Sequence, residues 1–203
     1  TPVISSAASD VYKRQIDGSP AGGGPGMIMR ADIVLPIIKK MRLNGDKRPL
    51  IVPAARGIKY DQKITKELVK KEGLIFLCGR FEGIDQRIIE LAGALELSIG
   101  DYILTNGDIA AINIIDSCVR LLDGVLSTKA SVESESFEGG LLEYPQYTLP
   151  RDYDGSKIPD ILLSGDHEAI NKWRNSQSFL TTEKNRPDLY EKFQKKIKDP
   201  DSS

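Results

Sequence analysis

Two stretches decide how this chain folds: Leu77–Glu90, LCGRFEGIDQRIIE, and Leu97–Asp108, LSIGDYILTNGD. Each leaves an apolar run at a glycine, Gly79 or Gly100, and each leads on to a helical pattern. Leu74–Cys78 is apolar throughout, as a strand buried on both faces of a parallel sheet would be. Asp85–Ala92 then reads as a helix and Leu95–Ile99 as the next strand. From Asp108, DIAAINIIDSCVRLLDG predicts a long helix that Asp108 caps and Gly124 ends, with Ile112, Ile115, Val119 and Leu122 as its apolar stripe.

Working outward, Asp32 starts the helical run IVLPIIKKM, in which Pro36 is tolerable near the first turn. Leu50–Val52 predicts a strand ended by Pro53 that feeds the loop Ala54–Gly57, and Thr65–Glu72 a short helix stopped by Gly73. Strand and helix therefore alternate from about residue 31 to 124, which predicts an α/β fold with a parallel sheet. Ligands of such sheets sit beyond the carboxyl ends of the strands. The loops at 54–57, 79–83 and 99–107 share that rim and should make one pocket. Neither opening stretch carries a dinucleotide fingerprint or a phosphate-loop lysine.

The totals narrow the class. The chain has 203 residues, 40% hydrophobic and 28% charged, enough for one ordinary core and a smaller appended unit. A net charge of −1 means that a nucleic-acid partner must be held by a local patch. Cys78 and Cys118 sit in apolar runs, and with one histidine they cannot build a disulfide or zinc framework. No run is apolar and long enough for a membrane span, so a cytoplasmic location is the expectation. Residues 1–15, TPVISSAASDVYKRQ, resemble translated adaptor sequence and are set aside as a non-native leader. Residues 18–26, GSPAGGGPG, read as an irregular loop.

Beyond the long helix the charge changes sign. Residues 131–154 hold six acidic side chains against Arg151 alone, whereas 172–198 hold eight basic against three acidic. A linker followed by a small helical unit with a basic face is expected, its helices near Asp166–Gln177 and Pro187–Lys198. Taken singly, the polar residues have plain explanations. Arg120 could pair with Asp116 one turn back, Glu135 could be a solvated linker charge, and His167 reads as a cap-region residue. Trp173 reads as core, and Gly79–Asp85 could be a turn that needs glycine for geometry alone.

Several motifs taken together carry more. GGGPGM at 22–27, CGRFEGID at 78–85, SIGDYIL at 98–104, IDSCVR at 115–120, ESF at 135–137, GLLEYPQYT at 140–148 and LLSGDHEAINKWRNSQS at 162–178 occur in order. This set resembles the bacterial tRNA (guanine-N(1)-)-methyltransferase family TrmD, of the SPOUT superfamily. The resemblance implies a trefoil-knotted parallel sheet flanked by helices, followed by a small, mostly helical C-terminal domain. It divides the chain into a methyltransferase domain at 16–126, lacking the family's first strand and helix, a linker at 127–138 and a tRNA-binding domain at 139–203.

The family methylates ring nitrogen 1 of the guanosine on the 3′ side of the anticodon in tRNA, with S-adenosyl-L-methionine as donor. Carried over position by position, the cofactor would meet Ala55, Gly57, Gly79, Phe81, Glu82, Gly83, Ile99, Gly100, Asp101, Tyr102, Ile103, Leu104 and Gly107. Glu135 matches the family's general base and Arg120 the cation that meets charge developing on the guanine O6. The resemblance also implies a homodimer in which the linker of one subunit closes over the cofactor of the other. The basic tail would grip tRNA phosphates, with no role for DNA. The family has a link to magnesium (Mg2+), yet no ligand cluster stands out in the sequence.

Four departures from the family pattern stand out. Glu135 replaces the usual aspartate, Ala55-Arg56 a Pro-Gln pair, Phe81 the commoner tyrosine, and Asn106 and Ala110 a glycine and a proline. Two rival readings follow: an RNA-binding remnant without turnover, and a nucleotide-binding protein using GGGPG for phosphate. The second lacks the adjacent Lys-Ser/Thr that a phosphate loop needs.

Overall fold

The structure, a computed structural model, describes residues 15–125, 135–137 and 139–198. The chain divides into two compact units, Thr1–Val125 and Leu126–Ser203.

In the first unit a short antiparallel pair, β1 (Asp17–Gly18) and β2 (Ile28–Met29), flanks the glycine-rich loop. Helix α1 (Ala31–Leu43) follows. Pro36 lies in its sixth position, past the first turn that the sequence suggests, and cannot donate to the Asp32 carbonyl. Pro36 is exposed, so that carbonyl reaches water instead. Then come β3 (Leu50–Lys59), α2 (Gln62–Val69), β4 (Ile75–Phe76), α3 (Gln86–Ala92), β5 (Leu95–Ser98) and α4 (Asp108–Val119). The carboxylates of Asp61 and Asp85 start α2 and α3 by accepting from the N–H groups of Ile64 and Arg87, each at 2.9 Å.

The expected α/β architecture with a parallel sheet is present. The strand order is β4–β3–β5, and β3 is parallel to both neighbours. Ile51 joins Leu68, Leu97, Ile114 and Cys118 in one buried cluster, over which α2 packs against α4. Ala31, Val34 and Ile88 form a second cluster between α1 and α3. Leu50 and Val52, buried at the alternate positions of β3, face away from Ile51 because side chains alternate along a strand.

Three local expectations change. Strand β4 pairs over Ile75–Phe76 only and is half-buried, since its far end turns into the glycine loop. Strand β3 does not end at Pro53. Pro53 and Ile58 both stand opposite Leu97, so Ala54–Gly57 loop out and the strand then resumes. On α4 the predicted stripe faces outward. Ile112 is 62% exposed, and Ile115, Val119 and Leu122 are exposed as well, whereas Ala110, Ala111, Ile114 and Cys118 are buried. The alanines let α4 lie close to the sheet, and this places the larger isoleucines on the free side. Gly107, not Asp108, is the N-cap of this helix, and just before it the Asn106 side-chain oxygen accepts the Asp108 N–H at 3.1 Å.

The second unit holds a hairpin, β6 (Asp152–Tyr153) with β7 (Ser156–Lys157), a 3-10 turn at Asp160–Leu163, α5 (His167–Asn185) and α6 (Pro187–Lys198). Helix α5 runs well past Gln177, where the sequence reading stops it. Its buried Thr182 accepts the Leu142 N–H at 2.8 Å, and Phe179 meets Phe193 of α6 edge-on with ring centroids 5.5 Å apart. Trp173 is half-buried, with its ring centroid 6.3 Å from that of Tyr147.

Candidate active site

A cleft of about 390 Å³ opens beside the looped-out part of β3 and beyond the carboxyl ends of β4 and β5. Its walls are the looped-out residues after Pro53, the turn after β4 and the long reversal after β5. Main-chain bonds hold these walls together. The Gly107 N–H donates to the Gly79 carbonyl at 3.0 Å, and Arg80 and Asn106 form an isolated antiparallel bridge. On the other side, the N–H groups of Glu82, Met29 and Asp85 donate to the carbonyls of Met27, Gly83 and Met29. The CGRFEGID turn is thus pinned from both flanks. Ser98 shapes the third reversal, its hydroxyl donating to the Gly100 carbonyl at 3.1 Å.

The glycines have distinct jobs. A Cβ on Gly107 would lie 3.2 Å from the Cys78 Cα, so this residue lets two loop backbones touch. A Cβ on Gly100 would collide with the Tyr102 ring, which lies over it. Phe81 sits at φ 52°, the left-handed region, and is exposed beside the Arg80 guanidinium, 5.5 Å from the ring centroid. The slot is lined by loop glycines, apolar side chains, the Phe81 and Tyr102 rings and a few charged groups.

Eleven of the thirteen proposed cofactor positions line this cleft, Gly57 and Asp101 being outside it. Gly57 answers to packing: a Cβ there would come within 2.5 Å of the Glu96 carbonyl carbon, so the residue lets β3 return against β5. Asp101 is exposed on the turn. Arg56, Arg80, Glu96, Asn106 and Ala110 also line the cleft. Arg80 lies between Gly79 and Phe81 in sequence, a position that could have pointed to it. Glu96 had no such signal, because the strand LELS does not show which side its one carboxylate faces.

Of the two candidate catalytic residues, Arg120 is the C-cap of α4, about 18 Å along the helix axis from the cleft-lining N-terminus, and does not line the cleft. Glu135 belongs to the second unit. There the Ser136 hydroxyl accepts the Glu143 N–H at 2.9 Å, and the Phe137 N–H donates to the Leu141 carbonyl at 2.9 Å. The carboxylate is therefore carried by a built turn. His167 opens α5 behind its cap, Asp166.

Beside the cleft, burial and the Asp108 carboxylate push the Cys78 thiol up to about 11. It stays protonated at neutral pH and is a poor nucleophile. Among the described residues no three His, Cys, Asp or Glu side chains gather as a metal ion would require, and no helix is long and apolar enough to cross a membrane.

The family model described as tRNA (Guanine-1)-methyltransferase TrmD matches residues 6–192. A tRNA (guanine-N(1)-)-methyltransferase of Nitrobacter winogradskyi is 48% identical over 187 residues, covering 92% of this chain and 77% of the relative. Its counterpart in Agrobacterium fabrum is 48% identical over 185 residues, covering 91% and 79%. That of Roseobacter denitrificans is 48% identical over 178 residues, covering 87% and 74%. With a match along nearly its whole length and relatives 48% identical over most of it, the chain belongs to the tRNA (guanine-1)-methyltransferase family TrmD.

Proposed function

We propose that this protein methylates ring nitrogen 1 of the guanosine on the 3′ side of the anticodon in tRNA, taking the methyl group from S-adenosyl-L-methionine in the cytoplasm. The observation that carries this reading is the convergence of the β3 loop-out and the segments after β4 and β5 on one cleft in a chain of this family. The same reversals, laced by Gly107 to Gly79, are where the trefoil knot of the SPOUT fold would be drawn.

Bound in the cleft, the donor supplies an electrophilic methyl carbon on a sulfonium. Backbone around Ile99, Gly100 and Leu104 would hold its adenine, Tyr102 would cover the ring face, and Gly79 and Gly107 leave room for the chain. Guanine nitrogen 1 carries a proton at neutral pH and is a weak nucleophile. A Glu135 carboxylate oxygen accepts that proton. Charge then develops on the guanine O6, and the Arg120 guanidinium donates to it. The target base must leave its stack to be reached.

The position of Arg120 argues for two protomers. Ile109, Ile112, Ile115 and Val119 make an exposed apolar face along α4, with Ala110 lining the cleft at one end and Arg120 at the other. Two copies of α4 packed antiparallel would bury that face and bring each Arg120 to the partner's cleft, as a two-fold interface requires. The second unit, with Lys192, Lys195, Lys196 and Lys198 on α6, would hold tRNA phosphates in a salt-sensitive way.

The test is labelled-methyl transfer from S-adenosyl-L-methionine to a tRNA transcript with guanosine 3′ of the anticodon, beside the same transcript with adenosine there. Transfer to the first alone is expected. Binding of both without transfer would make the chain an RNA-binding protein and overturn the reading.

A further inference from the structure

We infer that Arg56 is a positioning residue that sets the width of the donor cleft by tying its two walls together; this rests on the methyl-transfer reading above. Residues Ala54–Gly57 leave the ladder to β5, since Pro53 and Ile58 share one partner, Leu97. These looped-out residues form one wall of the cleft. What ties them across is the Arg56 guanidinium. Its Nε–H donates to Glu96 Oε1 at 2.9 Å and an Nη2–H donates to Gln86 Oε1 at 2.7 Å. Glu96 sits on β5, the strand that leads into the Ile99–Gly107 reversal. Gln86 opens α3 directly after the Gly79–Asp85 turn, the facing wall. One planar fork therefore spans all three elements that define the cleft, a geometry an ammonium group cannot reproduce.

The pair is 61% exposed on the arginine side, so it adds little to fold stability. Its effect falls on the looped-out segment. If that wall adopts the binding geometry only part of the time, apparent donor affinity falls by the same fraction.

The experiment uses the full chain with S-adenosylhomocysteine as the calorimetric probe and S-adenosyl-L-methionine in turnover. Arg56→Ala should raise the dissociation constant and KM for the donor about three- to tenfold while kcat at saturating donor changes less and the thermal midpoint stays put. Arg56→Lys should recover part of the affinity through Glu96 alone. Arg56→Ala combined with Glu96→Gln should be no worse than Arg56→Ala, because both remove the same contact. Nitrogen-15 relaxation at Ala54, Ala55 and Gly57, read without any donor, should show lower order parameters in Arg56→Ala. Unchanged order parameters, or a donor affinity within 1.5-fold of the parent, would overturn the assignment. A parent chain that binds no donor would sink the methyl-transfer reading, and the relaxation measurement would still decide the clamp.

Discussion

The N–H of Gly107 donates to the carbonyl oxygen of Gly79 at 3.0 Å, joining the reversal after β5 to the turn after β4. The contact is close enough that a Cβ on Gly107 would lie 3.4 Å from the Gly79 nitrogen as well as against Cys78. Two loops that are separate in sequence therefore behave as one wall of the cleft, and their close approach depends on there being no side chain at the junction.

Gly107→Val should separate these loops. The backbone there is ordinary, at φ −77°, so the effect comes from bulk and not from conformational strain. An overpacking cost of about 1–3 kcal/mol is expected, together with at least a tenfold loss of donor affinity by calorimetry. A variant that binds S-adenosylhomocysteine like the parent would show that the junction is not part of the pocket.

Glu135→Gln and Arg120→Ala should each lower kcat by about 10²–10⁴-fold, the range for losing a general base or a group that meets developing charge. Donor binding should stay within about twofold, because the roles proposed for both residues are toward the guanine and not toward the donor. Loss of donor binding in both variants would contradict the assigned roles.

Mixing two inactive variants tests whether sites form between subunits. Arg120→Ala keeps its cleft and Gly107→Val keeps its arginine. Mixed dimers should regain up to half of the activity of the parent sites if Arg120 serves the partner's cleft. Ile112→Glu, on the exposed face of α4, should yield monomers by sedimentation and abolish that rescue. A fully active monomer would end the two-protomer account.

Cys78 should resist alkylation at pH 8 and react as pH approaches about 11, followed by mass spectrometry with iodoacetamide. Asp108 helps to raise its pKa, so Asp108→Asn should lower it and speed the reaction. The sign for stability follows. A thiol whose folded pKa lies above its unfolded value favours the folded state fully below the unfolded pKa. That contribution is lost as pH rises through about 11.

Thr182→Val should destabilise the second unit. The hydroxyl accepts the Leu142 N–H at 2.8 Å and donates to the Ser178 carbonyl at 2.6 Å, and the residue is fully buried. Leaving the Leu142 N–H without its partner costs about 1–3 kcal/mol. A lower melting temperature with unchanged donor affinity is the expected pair of results.

Local order along the chain was enough to reveal the alternation of strands and helices, the three glycine-broken reversals at the strand ends and the family motifs. Each of these depends on residues near one another: periodicity marks buried faces, and glycine marks places where the backbone must turn or approach closely. The motifs also fall largely on residues that line one cleft. What sequence could not decide was which groups meet across the fold. The stripe of Ile112, Ile115 and Val119 has helical spacing whether it faces the sheet or solvent, and only the close seating of Ala110 and Ala111 turned it outward. From sequence Gly57 is a loop glycine, and only with β5 laid beside it is it also the point where two strands are too close for a side chain. Arg56 and Glu96 are forty positions apart, and nothing local pairs them. Hydrophobic patterning is a property of neighbours along the chain, whereas a cleft is made by contacts between segments that only tertiary packing brings together.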